Sequence, residues 1–170
     1  MPADKRIRCE REAACALHRP VEVVIEIPKW SFIKRGSSGQ VDFVSPFPCP
    51  FNYGSVPQYV GLEGDLLDAL VLGPRLPRGT RVTVQAHGAV GLSERGMYDD
   101  KIVASHGPLG PWQARGVLVF FHFYAFCKGL LNVFRGYRGF GRCEGWGSAD
   151  DAIRRAIPRH ADWPGPEVPF

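Results

Sequence analysis

Short apolar and β-branched runs, separated by turn residues, predict a chain built mainly of strands. Residues 21–27 are rich in β-branched side chains and end before Pro28, and residues 66–72 are apolar except for Asp68. Each run predicts a strand, and the second one is expected to be buried. The same reasoning predicts turns at 35–39 and 76–79 and further short strands at 41–44, 80–86, 88–92 and 101–104.

Two helices are predicted in the C-terminal third of the chain. Residues 112–127 are the best helical candidate, although their aromatic and β-branched side chains weaken helix propensity. Ser148 precedes Asp150 and Asp151 in the manner of a helix N-cap, which predicts a helix through 152–157 that stops before Pro158. Strands followed by helices predict a closed or half-closed β-barrel with helices packed outside it.

Composition indicates a globular protein and excludes some other classes, but it does not identify a function. The chain has 170 residues, 45% of them hydrophobic and 22% charged, which is ordinary for one globular domain and excludes a disordered chain. Its 20 glycines and 15 prolines disfavour a simple helical bundle. We expect an N-terminal arm at 1–20, a barrel domain at 21–160 and an irregular tail at 161–170. The net charge of +4 permits an anionic ligand.

The sequence also predicts where the protein resides. Residues 1–20 carry scattered charges without an apolar stretch, so no signal peptide is expected. The most apolar run, 117–127, contains His122 and is too short to span a bilayer. None of the five cysteines forms a C-x-x-C pair, which favours reduced thiols and a cytoplasmic protein that does not contact membranes.

Acidic residues near turns are the most informative chemical feature. Glu63, Asp65 and Asp68 lie close together, and Gly61 and Gly64 allow the backbone to bend tightly around a ligand. Carboxylates that converge repel one another, and a hard divalent cation would relieve that repulsion. Acidic loops are also common as simple solvated surface, so the spacing alone leaves both interpretations open.

A second acidic stretch adds to the first. Glu94 and Asp99 precede Lys101, and Glu26 interrupts an otherwise apolar strand. Carboxylates without histidine or cysteine ligands favour magnesium, manganese or calcium over zinc. A lysine beside such carboxylates indicates a ligand that carries its own negative charge, with phosphate as the leading candidate.

Six blocks of sequence, taken together and in order, resemble the soluble family I inorganic pyrophosphatases. The resemblance covers about residues 21–157 and implies a fold that is mainly β with α, a five-stranded OB-like barrel with flanking helices. It also implies hydrolysis of pyrophosphate to two phosphates with Mg²⁺, with Mn²⁺ as an alternative ion, by a homo-oligomer. The blocks are V-I-E-I-P at 24–28, P-F-N-Y-G at 50–54, E-G-D-L-L-D-A-L at 63–70, D-D-K-I-V-A at 99–104, F-F-H-F-Y at 120–124 and E-G-W at 144–146.

The resemblance also implies a role for individual residues. Asp65 matches the general base, which takes a proton from the attacking water. The positions that match metal-linked acids are Glu26, Glu63, Asp68, Glu94 and Asp99. The positions that match phosphate-binding groups are Lys34, Tyr53, Lys101 and Tyr124.

The chain departs from the family at several phosphate-binding positions. Gly36, Ser45, Cys49 and Ala125 stand where the family has an acid, an arginine, a tyrosine and a lysine. The part that activates water is therefore kept, whereas the cradle for the other phosphate is depleted. We hypothesise that an inserted segment compensates with basic residues, which are Lys128, Arg135, Arg138 and Arg142.

These departures keep two alternatives open beside an active pyrophosphatase. The first is a diverged relative that acts on a bulkier phosphoanhydride, or that binds metal or phosphate without catalysis. The second, less favoured, is a module that binds single-stranded nucleic acid, because residues 135–142 interleave arginines with aromatic residues and glycines.

Overall fold

Strands dominate the described part of the chain, as the apolar pattern predicts. The computed structural model describes residues 19–35, 41–44, 47–94, 97–134 and 141–164. The helices are α1 (Pro111–Phe134) and α2 (Ala149–Arg155). The strands are β1 (Arg19–Ile27), β2 (Ile33–Arg35), β3 (Val41–Val44), β4 (Asn52–Val60), β5 (Leu66–Leu72), β6 (Arg81–Glu94), β7 (Met97–Ser105), β8 (Arg142–Gly147) and β9 (Ile157–Pro158).

Strands β1, β4, β5, β7 and β6 form a closed barrel. They pair in that order, and β6 also pairs with β1, which closes the circle. Strands β5 and β7 run parallel, whereas the other neighbours are antiparallel. Strand β8 extends the sheet from β6, β9 pairs with β4, and β2 and β3 form a separate hairpin. The predicted five-stranded OB-like barrel with flanking helices is confirmed.

The two faces of the barrel strands pack against different helices. Side chains alternate along a strand, so Ala69 belongs to one buried cluster and Leu70 to the other. The first cluster contains Ala152 and Ile153 of α2. The second contains Val117 and Phe121 of α1. The barrel therefore has an α2 side and an α1 side, and this division decides where the functional side chains stand.

The predicted elements agree best where one apolar pattern continues without interruption. The strands predicted at 66–72 and 41–44 match β5 and β3, and the one predicted at 21–27 matches β1, which starts two residues earlier. The helix predicted at 112–127 is α1, and it continues to Phe134. Ser148 caps α2 as predicted, by accepting a hydrogen bond from the Asp151 amide.

The predicted elements differ from the structure in three respects: one strand was divided in two, two strands were missed and one helix end was placed too late. Residues 80–86 and 88–92 belong to the single long strand β6, which has a β-bulge between Ala86 and Gly88. Strands β4 and β8 were missed because their glycines and Pro57 are typical of loops. Helix α2 ends at Arg155, so Ile157 pairs in β9 instead of continuing the helix.

Several expectations concern residues that the structure does not describe. Most of the turn at 35–39 and the proposed arm, up to residue 18, lie outside the described residues, and the domain boundaries therefore stay a prediction. Within the described ranges, neither helix combines the length and the apolar character that crossing a bilayer would require.

Candidate active site

The Asn52 side chain fixes the start of β4. Its Oδ1 accepts hydrogen bonds from the amides of Lys29 at 3.1 Å and Leu76 at 2.8 Å. Its Nδ2 donates to the carbonyls of Val71 at 3.2 Å and Pro74 at 2.8 Å. Asn52 is fully buried, so these four bonds satisfy an amide that would otherwise be costly to bury. The asparagine of the predicted motif therefore has a structural role.

The next two residues, Tyr53 and Gly54, lie where β4 packs closely against β1. A Cβ on Gly54 would lie only 1.9 Å from the carbonyl oxygen of Val24, so β1 and β4 can approach this closely only with glycine here. Tyr53 itself is buried on the α1 side of the barrel. Its hydroxyl donates a hydrogen bond of 2.6 Å to Oδ2 of Asp68.

Parallel pairing of β5 and β7 brings the central charges together. Asp68 stands opposite Lys101 in the register of these strands. The Lys101 ammonium contacts Oδ2 of Asp68 and lies 2.5 Å from Oδ2 of Asp99. Its Nζ also lies 6.0 Å from the centre of the Tyr53 ring. A buried lysine thus sits between two carboxylates that are far apart in sequence.

Glu63 completes what we call the acidic group, which consists of Glu63, Asp68 and Asp99. One carboxylate oxygen from each residue lies within 4.8 Å of the others. Such a set of oxygen donors fits a hard divalent cation of the Mg²⁺ or Mn²⁺ type. The acidic group is therefore able to hold the metal that the sequence predicts.

Burial and the neighbouring carboxylates both shift the pKa values of the acidic group. The pKa of Glu63 is raised from 4.5 to about 7, chiefly by burial; Lys101 opposes the rise, and Asp99 and Asp68 add to it. Burial also raises the pKa of Asp99, again against the effect of Lys101. Although the Glu63 residue is largely exposed, its carboxyl group lies against the other two acids and hydrogen bonds to Asp99. The group thus favours an added proton or cation.

The same carboxylates also shift the pKa values of Lys101 and Tyr53. Burial lowers the pKa of Lys101, but Asp68, Asp99 and Glu63 together raise it well above the ordinary range, so the lysine stays charged. Burial and the charge of Asp68 hold the pKa of Tyr53 well above its usual value, so its hydroxyl keeps its proton. Both groups are consequently donors at neutral pH.

Asp100 lies on the opposite face of β7 from Asp99 and has a different partner. Arg155 of α2 donates two hydrogen bonds of 2.9 Å to its carboxylate oxygens. The Arg155 guanidinium also lies 5.2 Å from the centre of the Tyr98 ring. Sequence reasoning missed this pair because no local pattern links α2 to β7, which lies 55 residues away.

Two predicted site residues lie outside the acidic group. Glu26 is buried and accepts a hydrogen bond of 2.7 Å from the Ser55 hydroxyl. Asp65 is exposed at the end of the loop before β5. The Gly61 amide donates to the Asp65 carbonyl at 2.7 Å, and Gly64 has a positive φ of 92°. The tight bend that the glycines predict is present, but it brings Glu63 and not Asp65 to the acidic group.

Other predicted residues fall where side chains are not described. Lys34 lies in β2 and Glu94 ends β6, but their side chains are outside the description, as is that of Lys128 in α1. The departures Gly36 and Ser45 lie outside the described residues. So do Arg135 and Arg138 of the proposed compensating segment, and only Arg142 of that set has a described side chain.

A cleft of about 100 Å³ opens beside the acidic group. Tyr53, Asp99 and Lys101 contribute polar groups to its lining, and the departures Cys49 and Ala125 are in its wall. Tyr124 of α1 also lines it and stacks on Phe120, with 6.2 Å between ring centres. Its remaining lining residues are Ile27, Ser31, Phe32, Ile33, Phe47, Leu92, Ser93, Phe120, Phe121, Gly141 and Arg142.

Fold and site together define an OB-like barrel in which carboxylates able to hold a hard cation lie beside protonated lysine and tyrosine donors. Residues 23–108 match the family described as inorganic pyrophosphatase, and the chain belongs to that family. The family predicted from the sequence is thereby confirmed.

Named relatives agree with this membership. The inorganic pyrophosphatase of Haemophilus influenzae is 38% identical over 92 residues, which are 49% of this chain and 52% of that protein. The alignment thus spans about half the length of the curated relatives. The fold is similar to that of an inorganic pyrophosphatase from Neisseria gonorrhoeae, with a TM-score of 0.65 and 26% identity over 79% of this chain and 86% of the other. The Thermus thermophilus enzyme gives a TM-score of 0.66 at 22% identity, covering 80% and 86% of the two chains.

Proposed function

We propose that this protein hydrolyses inorganic pyrophosphate to two phosphates with a divalent cation. The observation that carries the proposal is the convergence of Glu63, Asp68 and Asp99 around one buried lysine, in a chain of the inorganic pyrophosphatase family. Three acids against one lysine leave a negative site that a cation would neutralise. A phosphate brought by that cation would then meet Lys101 and Tyr53.

The acidic group would hold the cation, and we propose Mg²⁺ with Mn²⁺ as the alternative. When bound, such an ion neutralises phosphate charge and makes water a stronger acid. Lys101 and Tyr53 remain protonated at neutral pH and would donate to phosphate oxygens as charge develops on them. Tyr124, in the wall of the same cleft, is a third candidate donor.

Asp65 remains our proposal for the general base. Its residue is exposed at the edge of the loop that carries Glu63, where an incoming water has access. Glu26 accepts a hydrogen bond from Ser55 of β4, so it is better placed to support that strand than to join the acidic group. We therefore propose Glu26 as a positioning residue, and Lys34 and Glu94 stay predictions.

The test is phosphate release from pyrophosphate with Mg²⁺, compared with the same reaction in EDTA. We expect release with Mg²⁺ and none with EDTA, because the acidic group needs a cation to receive a polyanion. Asp99→Asn should lower kcat/KM by about 10²-fold, since it removes one of the three carboxylates that would hold the cation. Asp151→Asn, in the exposed ion pair with Arg154, is the matched control. Absence of release from the folded wild-type protein would refute the proposal.

The cytoplasmic location and the homo-oligomeric state stay predictions. The nucleic-acid hypothesis gains nothing, because most of residues 135–142 lie outside the described chain.

A further inference from the structure

The cleft beside the acidic group is polar at one end and apolar over most of its wall. Phe32, Phe47, Phe120 and Leu92 contribute to that wall, whereas Tyr53 and Lys101 lie at the polar end. Phe32 and Phe47 remain 51% and 53% exposed. The cleft encloses about 100 Å³, and an apolar cavity of this order of size can hold a small hydrocarbon group. Pyrophosphate alone, a small polyanion, would gain nothing from this wall.

Two serine side chains in the same wall are already engaged within the protein, whereas the exposed Arg142 contributes a charged group. The Ser31 hydroxyl donates to the carbonyl of Ile33 at 3.3 Å and accepts from its amide at 3.2 Å. The Ser93 hydroxyl donates to Glu144 at 2.7 Å. A polar base or sugar placed against Phe32, Phe47, Leu92 and Phe120 would find no hydrogen-bonding partner among these side chains, which is unfavourable. The wall therefore favours an apolar group.

Two departures from the family enlarge this apolar part. Cys49 and Ala125 line the cleft where the family has a tyrosine and a lysine. Replacing a cationic side chain with a methyl group removes charge and opens space at once. The change makes the cleft poorer for a second free phosphate and better for a carbon chain.

We propose that the site accepts an organic diphosphate whose ester group is apolar, with the terminal phosphate at the acidic group and the apolar group in the cleft. This inference rests on the proposed function, because it uses the same phosphate-binding end. A water oxygen would bond to the terminal phosphorus while the bond from that phosphorus to the bridging oxygen breaks. The products are the organic monophosphate and inorganic phosphate, and the two protons of water pass to the products and the solvent.

The experiment compares three substrates with Mg²⁺ under one phosphate-release assay. Pyrophosphate is the reference, geranyl diphosphate is the apolar probe, and ADP is the polar probe. Each methylene buried in the wall should improve kcat/KM roughly fourfold. We therefore expect geranyl diphosphate to exceed ADP by at least about 10²-fold, even if only part of its chain is buried.

The outcomes separate the two proposals. Release from pyrophosphate but not from geranyl diphosphate would overturn the present inference and leave the proposed function standing. Equal rates for geranyl diphosphate and ADP would also overturn it, because the apolar wall would then have no effect. Release from geranyl diphosphate but not from pyrophosphate would support the inference and refute the proposed function as stated. Release from neither would refute both.

A matched pair of variants tests the wall itself. Phe47→Ser removes an aromatic ring from the cleft and should raise KM for geranyl diphosphate about tenfold relative to KM for pyrophosphate. Phe126→Ser changes an exposed aromatic residue on α1 that does not line the cleft. An equal shift of the KM ratio in both variants would contradict the assignment of the cleft.

Discussion

The neighbouring residues Asp99 and Asp100 lie on opposite faces of β7 and have different charged partners. On the α1 side, Asp99 shares the single ammonium of Lys101 with Asp68. On the α2 side, the Asp100 carboxylate accepts two hydrogen bonds of 2.9 Å from the guanidinium of Arg155. One face thus has more acids than bases among the described side chains, whereas the other is balanced.

The difference separates a functional charge from a structural one. A balanced bidentate pair is satisfied without a ligand and joins α2 to the barrel. An unbalanced group keeps a preference for another cation, and burial together with the neighbouring acids raises the pKa of Glu63 and of Asp99. Asp99 and Asp100 are adjacent residues of the same type, so only the partners of their side chains distinguish the two roles.

The largest effect is expected for the unbalanced face. Asp68→Asn keeps the shape of the side chain but removes a charge that contacts both Lys101 and Tyr53, and it should lower kcat/KM for pyrophosphate by about 10²–10³-fold. Asp100→Asn is the matched variant on the balanced face. It should reduce the free energy of unfolding by about 1–2 kcal/mol, a value discounted because Arg155 is 40% exposed, with a much smaller effect on kcat/KM. Similar losses of activity in both variants would contradict the comparison.

The next largest effect is expected for replacement of Lys101, which should weaken catalysis but strengthen cation binding. Lys101→Met should lower kcat/KM for pyrophosphate by about 10²-fold, because a donor to the phosphate is lost. It should also lower the Kd for Mn²⁺, since the lysine no longer competes for the carboxylates. Titration calorimetry with Mn²⁺ and steady-state kinetics measure the two quantities. Weaker Mn²⁺ binding would show that Lys101 supports the acidic group instead of competing with a cation.

The raised pKa of Glu63 predicts how stability depends on pH without metal. Its carboxyl group has a pKa of about 7 in the folded protein and an ordinary value of 4.5. The folded state therefore binds a proton more readily, so its added stability is complete below pH 4.5 and is lost as the pH rises through about 7. Thermal unfolding in EDTA should show Tm falling across this window.

Two variants sharpen the pH experiment. Glu63→Gln cannot lose a proton, so the fall in Tm between pH 4.5 and about 7 should become smaller. Glu22→Gln, in the exposed pair with Arg81, should retain the fall seen in the wild type. A wild-type Tm that rises across the same window would give the opposite sign and contradict the assignment.

The smallest effect is expected from a conservative change on the balanced face. Arg155→Lys keeps the charge but loses the planar pair of donors to Asp100. Because the arginine is 40% exposed, the expected cost is about 1 kcal/mol, or roughly 2–4 °C in Tm. Scanning calorimetry measures this shift, with exposed Arg154→Lys on the same helix as the control. An equal shift in both variants would mean that the paired geometry adds nothing.

Much of the fold and part of the site followed from local pattern. Strand β5 is a continuous apolar run and was predicted with its bounds, and Ser148 marked the start of α2. The local pattern failed where glycine and proline lie within strands. In β4, for example, Gly54 allows close contact with Val24 of β1. Glu63, Asp68, Asp99, Lys101 and Tyr53 were all named from the sequence motifs.

The sequence by itself determined the family, the barrel and the types of residue available for phosphate chemistry, because these depend on ordered motifs and on alternation along strands. Only the tertiary structure decided which acids meet. The parallel pairing of β5 and β7 sets Asp68 against Lys101, and the alternation of β7 sends Asp99 and Asp100 to opposite helices. The apolar wall of the cleft was likewise decided in three dimensions, since its residues come from β2, β6, α1 and loops that no local pattern connects.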